Sequence, residues 1–503
     1  LNAATLKGAS LKGEASKGTA SNPATSNPAV TAAPADGTPF PLSHLQRRLW
    51  LLHTLDPTGA LQSTARCFQV DGRPDLDALQ RALDHLVERH EPLRTVFPLS
   101  ATGEPVQLVL PAATLPLTPL AAEDGSEPLI SAREFAEQPF AADRGPLARA
   151  GLLRTGPDRL LLVVAVHLLV ADGWSWNVLL RELGACYAAA LTGTDPRLPG
   201  LPLQYADWAH WQHGQLTGAR RHELRRWWQR ELDGAAPGLG PPAAGTDADT
   251  AASAATATGA TAHATDVTTT TATHAGATVA RPGRAVTRSL DARTEEALRA
   301  LARRAGVSLF AVLAAAFGAT TGRRIHREEL VIGTPVAHRD LPETEHLLGF
   351  LVGTLPLRVD LTGDPPFTEL ARRLATTAGR AFAHKDLPWE ELPWQQTPGG
   401  RRTLPTLAHH PAGSTGSLAL PGCRVRELDL PSDASRFDLT LRISEHPGPR
   451  RSSVRVEHDT RVVPPVEADD LLTGYLALLD AVALRPTARL SELLPQRPRP
   501  STD

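Results

Sequence analysis

The stretch from Leu160 to Leu183, LLLVVAVHLLVADGWSWNVLLREL, constrains the fold more than any other part of the chain. Its opening is continuously apolar and reads as a buried strand over 160–166. A turn on Asp172-Gly173 follows. Trp176, Leu179, Leu180, Leu183 and Tyr187 then recur at helical spacing, with Ser175 as the expected cap and an end near Gly193. A lone imidazole, His167, stands at the mouth of the strand, five residues before the turn.

The same alternation continues on both sides. PDLDALQRALDHLVERH carries a capping Asp75 and an apolar face of Leu76, Leu79, Leu83 and Leu86. Later, TEEALRALARRAGVSLFAVLAAAF reads as one helix ended by Gly306 and a second capped by Ser308. ELVIGTPVAH, SRFDLTLRISE and SSVRVEHDT read as strands, and PFTELARRLATTAGRAFAH as a helix. Helices alternate with strands in both halves, which predicts two α/β lobes of similar construction with a cleft between them. We place the first lobe at 38–200 and the second at 201–497. Residues 1–37 and an insertion at about 236–282 are rich in Ala, Thr, Ser, Pro and Gly. Such segments cannot bury enough apolar area to offset ordering entropy and are expected to be disordered.

Composition removes several function classes. The 503 residues carry a formal charge of −2, so no global field points to nucleic acid or an anionic membrane. The three cysteines, Cys67, Cys186 and Cys423, lie far apart, which favours free thiols in a reducing cytoplasm and argues against a metal set. No apolar run is long enough to span a bilayer. The chain is expected to be a soluble, cytoplasmic monomer.

Several stretches are weak signals singly: SHLQRRLWLLHTLDP (43–57), RHEPLRTVF (89–97) and YADWAHWQ (205–212). Each is readable as ordinary helix or core. Taken in order with HLLVADGWS, VIGTPVAHR (331–339), LLGFLVGTLPLRVDL (347–361) and HKDLPWEEL (384–392), they resemble the motif series of nonribosomal peptide synthetase condensation domains over about 39–495. The resemblance implies a fold of two chloramphenicol-acetyltransferase-like lobes in a V-shaped pseudo-dimer. A tunnel runs between them, where donor and acceptor meet, each on the phosphopantetheine arm of a peptidyl carrier protein. It implies amide formation with no soluble cofactor, adjacent adenylation domains as possible partners, and no metal, nucleic acid or membrane. Without a carrier-protein serine motif or an adenylation-type nucleotide loop, the chain looks like a lone unit, free-standing or cut from a larger synthetase.

The family's core motif is two adjacent histidines, three variable residues, then Asp-Gly. Aligned on Asp172-Gly173, the first histidine is His167 and the second position is Leu168. The residue that resemblance makes the base, or positioning group, is therefore absent. Neighbours on an extended strand point to opposite faces, so with Leu168 toward the tunnel His167 should point into the protein body, buried and hydrogen-bonded in support of the turn. By resemblance Asp172 makes a structural salt bridge, with Arg339 as candidate partner, the alternative being a simple turn residue. Gly173 allows close backbone approach to the thioester oxygen. Trp174 and Ser175 launch the next helix, and Arg94 ties the first helix to its sheet unless it makes only a surface ion pair. The family usually has glycine where His338 stands and asparagine where Gly353 stands, which alters the lobe interface here. HHP at 409–411 reads as an exposed loop.

Three functions remain open: an amide-forming condensation enzyme impaired at Leu168; a catalytically silent module that docks carrier proteins or recruits a tailoring enzyme; and a stand-alone acyltransferase of the same superfamily.

Overall fold

The computed structural model describes residues 37–55, 62–121, 127–235, 239, 282–393, 404–412, 416–430, 433–446 and 451–494. The tail and insertion expected to be disordered lie outside the described residues, apart from Gly37, Leu239 and Pro282. In the first half the strands are β1 (Phe40–Pro41), β2 (Ser63–Asp71), β3 (Thr95–Val96), β4 (Val106–Val109), β5 (Leu117–Leu120), β6 (Ala148–Gly156) and β7 (Arg159–His167). The helices are α1 (His44–Leu55), α2 (Leu76–Arg89), α3 (Pro128–Glu137), α4 (Ser175–Thr192), α5 (Tyr205–Gln215) and α6 (Gly218–Glu231). In the second half come β8 (Gly283–Ser289), α7 (Ala292–Ala305), α8 (Leu309–Arg324), β9 (Glu329–Ala337), β10 (Val352–Asp360), α9 (Phe367–Phe382), β11 (Thr406–His410), β12 (Arg424–Leu428), β13 (Leu439–Ser444), β14 (Ser453–Asp459), α10 (Pro465–Leu484) and the short α11 (Leu490–Leu493).

These elements build two lobes. The first holds a five-stranded mixed sheet in the order β12-β2-β7-β6-β5, and a small sheet β1-β4-β3. β7 is central and buried along nearly its whole length, so its continuous apolar run is the consequence of cover on both faces. Asp75 caps α2 by accepting the Ala78 N–H at 2.8 Å, and Leu79, Leu83 and Leu86 face inward. The second lobe holds a six-stranded mixed sheet in the order β10-β9-β11-β13-β14-β8. Its helices α7 and α8 are separated by Gly306 at φ 69°, and Ser308 caps α8 through the Ala311 N–H. The hydrophobic cores of the two lobes are separate clusters.

One connection was not legible in sequence. β12 leaves the second half of the chain and pairs antiparallel with β2, so a late strand completes the first lobe's sheet. Among the described residues no single helix is long and apolar enough to cross a membrane.

Candidate active site

β7 delivers His167 to the end of the first sheet, opposite Ser63 of β2. The ring is buried, 2% exposed. Its Nδ1 accepts the Leu169 N–H at 3.0 Å, which leaves Nε2 as the donor toward Gln62 Oε1 at 3.3 Å. The same Gln62 oxygen lies 2.8 Å from His53 Nδ1, and the His53 and Phe140 rings pack edge-on against His167. Burial, helped by His53, pushes the His167 pKa down to about 3, so the imidazole is neutral. It works as a splint for the turn. Leu168 donates its N–H to the Gln62 carbonyl at 2.7 Å and is only partly buried against the first core.

Asp172 and Arg339 join the two lobes. Arg339 Nη2 lies 3.2 and 3.3 Å from the two oxygens of Asp172, while Nη1 donates to the carbonyls of Thr344 (2.6 Å) and Leu347 (2.8 Å). Both charged groups are buried. The Asp172 carboxylate also accepts the N–H groups of Ser175 (2.8 Å) and Leu351 (3.0 Å). Leu351 belongs to the second lobe, so this one carboxylate is bound from both sides. Trp174 donates its indole N–H to the Glu345 carbonyl at 2.9 Å, beneath the Arg339 guanidinium.

The expectation that Ser175 caps α4 needs correction. Ser175 is the first helical residue, Trp174 occupies the cap position, and Asp172 receives the Ser175 N–H. Ser175 Oγ bridges its own turn and the second lobe: it accepts the Asp172 N–H at 3.1 Å, lies 2.8 Å from Asp172 Oδ1, accepts the Gly349 N–H at 3.2 Å and lies 3.0 Å from the Gly349 carbonyl. Asp172, three residues earlier, supplies the side-chain acceptor at the helix start, and the Ser175 hydroxyl is shared between that carboxylate and the second lobe.

Gly173 behaves differently from its neighbours. Its backbone is outside the left-handed region, and a side chain there would meet nothing within 4 Å. Neither conformation nor packing asks for glycine. The room it leaves is open space beside the Asp172–Arg339 pair, where a reactant could approach the backbone.

YADWAHWQ forms α5, and its Tyr205 closes the same interface. The hydroxyl donates to the Phe350 carbonyl at 2.7 Å and lies 2.8 Å from Ser43 Oγ. The ring covers Gly349, whose φ is 148° and whose hypothetical Cβ would fall 1.8 Å from Tyr205 Cδ2. Tyr205, Trp208, Leu347 and Leu351 form a small core of their own. Ser43, Tyr205 and Gly349 each lie in one of the motif stretches, but nothing in the sequence links residues so far apart. Arg94 donates to the Leu110 carbonyl at 2.6 Å and lies 3.5 Å from Glu91, tying the turn after α2 to the end of β4.

HKDLPWEEL runs alongside. Buried Lys385 binds Asp340 (2.6 Å) and the Ala337 carbonyl (3.2 Å). Glu390 reaches Arg48 of α1, and Glu391 reaches Arg225 of α6. His338 lies 3.6 Å from Asp386, and its Nε2 sits 3.0 Å from where a Gly353 Cβ would be. The His338 imidazole therefore lies against Gly353, and a side chain at 353 would crowd it.

HHP was expected to be an exposed loop. Its two histidines are instead the end of β11, paired in parallel with β13, with Pro411 just beyond, and His409 is buried. His409 Nε2 lies 2.8 Å from Glu445, which also binds Arg299 (2.7 Å) and the Ala412 N–H (3.1 Å). Strand pairing with β13 and a buried hydrogen-bond partner in Glu445 hold in a sheet a polar dipeptide that local pattern assigns to a loop.

Two sheet-bearing lobes joined through a motif at the end of a central strand define a class: the chloramphenicol-acetyltransferase-like pseudo-dimers. Within it, the chain belongs to the condensation-domain family, whose model matches residues 38–496. It is 34% identical over 479 residues to phosphinothricin tripeptide synthetase PhsC of Streptomyces viridochromogenes, covering 92% of this chain and 40% of that protein. It is 33% identical over 470 residues to chondramide synthase cmdD of Chondromyces crocatus, covering 90% and 11%. The chain therefore spans less than half the length of these relatives. An X-domain solved in complex with OxyB from teicoplanin biosynthesis superposes with a TM-score of 0.75 at 26% identity, over 93% of this chain and 98% of that one. The first condensation domain of the calcium-dependent antibiotic synthetase, at 21% identity and a TM-score of 0.72, shares the fold over 90% and 99%.

Proposed function

We propose that this domain joins a donor acyl group to an acceptor amine in nonribosomal peptide synthesis, both held as thioesters on phosphopantetheine arms of carrier proteins. The single observation behind this reading is the condensation-domain match across nearly the whole chain. In the reaction the acceptor nitrogen attacks the thioester carbonyl. The C–N bond forms, the C–S bond breaks, and the proton lost by nitrogen reaches the departing thiolate. No cofactor is consumed.

The residues divide this work unequally. Asp172 and Arg339 hold the lobes in register and so set the distance between reactants. Gly173 leaves its backbone open for the carbonyl oxygen. Leu168 stands at the base position and takes no proton, while His167, neutral and bound at both nitrogens, does not replace it. Positioning sustains a residual rate. Loss of a general base costs about 10²–10⁴-fold, so Leu168→His, assayed for amide product with loaded donor and acceptor carriers, is expected to run faster by that order. Equal rates would show that Leu168 impairs nothing.

A second reading, a silent domain that recruits a tailoring enzyme, is favoured by Leu168 and by the likeness to an X-domain solved with OxyB. Absence of product from the natural chain, with product from Leu168→His, supports it.

A further inference from the structure

The turn that carries position 168 lies outside any strand or helix, because β7 ends at His167 and α4 begins at Ser175. Its backbone is nevertheless gripped on both sides of one residue. The Leu169 N–H goes to His167 Nδ1 at 3.0 Å, and the Leu169 carbonyl accepts from Gln46 Nε2 at 2.9 Å. The first grip is local. The second comes from α1, 123 residues earlier in the chain.

Every polar atom of the Gln46 amide is committed. Its Oε1 accepts the Ser43 N–H at 3.0 Å while Ser43 Oγ accepts the Gln46 N–H at 3.0 Å, a reciprocal capping box at the start of α1. A backbone N–H only donates and a carbonyl only accepts, so the amide fits one way round, oxygen to Ser43 and nitrogen to Leu169. Nε2 also donates to Gln107 Oε1 at 3.1 Å, and Gln107 is itself tied to the Pro41 carbonyl at 2.8 Å. Gln46 is 1% exposed. It cannot swing away from Leu169 without leaving buried polar groups unpaired.

The same clamp closes a ring through the second lobe. Ser43 Oγ lies 2.8 Å from the Tyr205 hydroxyl, which donates to the Phe350 carbonyl. The next residue, Leu351, donates its N–H to Asp172. The 168–173 turn is thus held on one side by the cap of α1 and on the other by the residues that lead into β10. Leu168, only partly buried, lies between His167 and the gripped Leu169.

We propose that Gln46 is a positioning residue: through the Leu169 carbonyl it sets where the side chain at 168 and the Gly173 backbone stand against the reactants. Gln46 acts through Leu169 and touches no reacting atom. The inference rests on the condensation reading and deepens it.

Leu168→His is the background for the test, since there the place of residue 168 matters most. Gln46→Met keeps length and volume but has no N–H to give. In that background it should lower kcat about tenfold or more, as a misplacement of about 1 Å costs about 10²-fold. KM for the loaded donor and acceptor carriers should stay unchanged. In the natural chain Gln46→Met should speed hydrogen exchange in the peptide spanning 163–171, followed by mass spectrometry. Gln46→Glu has one proton to donate when neutral and none when ionised, so its rate relative to Leu168→His should fall as pH rises. A packing role alone gives no such trend, and this variant carries the test if Gln46→Met does not fold. Asp75→Ala, which removes the cap of α2 in the same lobe, should lower stability and leave kcat unchanged. A fall in kcat no larger than that of Asp75→Ala, or unchanged exchange at 163–171, would overturn the positioning role and leave the condensation reading standing. Absence of product from the natural chain and from Leu168→His alike would overturn the condensation reading, and with it any part of Gln46 in turnover.

Discussion

Arg339 reaches both oxygens of Asp172 across the lobe boundary, at 3.2 and 3.3 Å, while its other terminal nitrogen holds two carbonyls of its own lobe. The pair is buried, so its geometry, more than its Coulomb energy, explains its place. It fixes how two separately cored lobes meet, and thereby where the 168–173 turn stands relative to the second lobe.

Breaking that pair from one side leaves an unpaired buried charge. Arg339→Leu should cost about 3–5 kcal/mol in urea unfolding. Asp172→Leu combined with Arg339→Leu should recover much of the loss, because neither charge is then stranded. A double variant as unstable as the two singles summed would rule out charge pairing as the cause.

The contact of Tyr205 with Gly349 admits no methyl. Gly349→Ala places a Cβ inside the tyrosine ring and at φ 148°, a conformation that alanine resists. A loss of about 3 kcal/mol or more is expected from overpacking and backbone strain together. Thermal unfolding of Gly349→Ala with Tyr205→Leu separates the two: relief of the clash raises the melting temperature only partway, since the strain remains.

The His338 imidazole lies against Gly353. Gly353→Asn alone pushes a side chain toward His338 Nε2, and His338→Gly alone empties the site. Each should destabilise, and the double variant should be more stable than additivity allows, by about 0.5–3 kcal/mol of coupling in chemical unfolding. Strict additivity would mean that the two side chains do not crowd each other.

His167 makes stability depend on pH in a known direction. Its folded pKa, about 3, lies below the unfolded value of 6.5. Between those values the unfolded chain binds a proton that the native chain refuses, so stability falls as pH drops from 6.5 toward 3. The slope from this site is about 1.4 kcal/mol per pH unit. His167→Asn keeps an acceptor for the Leu169 N–H and should reduce that slope between about pH 6 and 4, read from urea midpoints. An unchanged slope would show that His167 is not the titrating group.

How much of this was legible beforehand differs by element. The apolar run of β7, Asp75, Gly306 and Ser308 mark elements that the structure contains, because a buried strand, a cap and a left-handed turn are local demands. The pairing of Asp172 with Arg339 could be anticipated only from the order of the motifs. Two local readings differ from the structure for different reasons: at Ser175 the neighbouring Asp172 takes the capping role, and at His409 a distant buried Glu445 overrides the loop reading.

The amino-acid sequence alone thus determined the element pattern, the motif order that marks the family, and the aliphatic residue at position 168, all properties of neighbours along the chain. The tertiary structure decided the rest: β12 completing the first lobe's sheet, Tyr205 covering Gly349, and His409 buried against Glu445. Those depend on contacts between residues that sequence leaves far apart, where no periodicity or propensity reaches and only burial, charge pairing and shape select the partner.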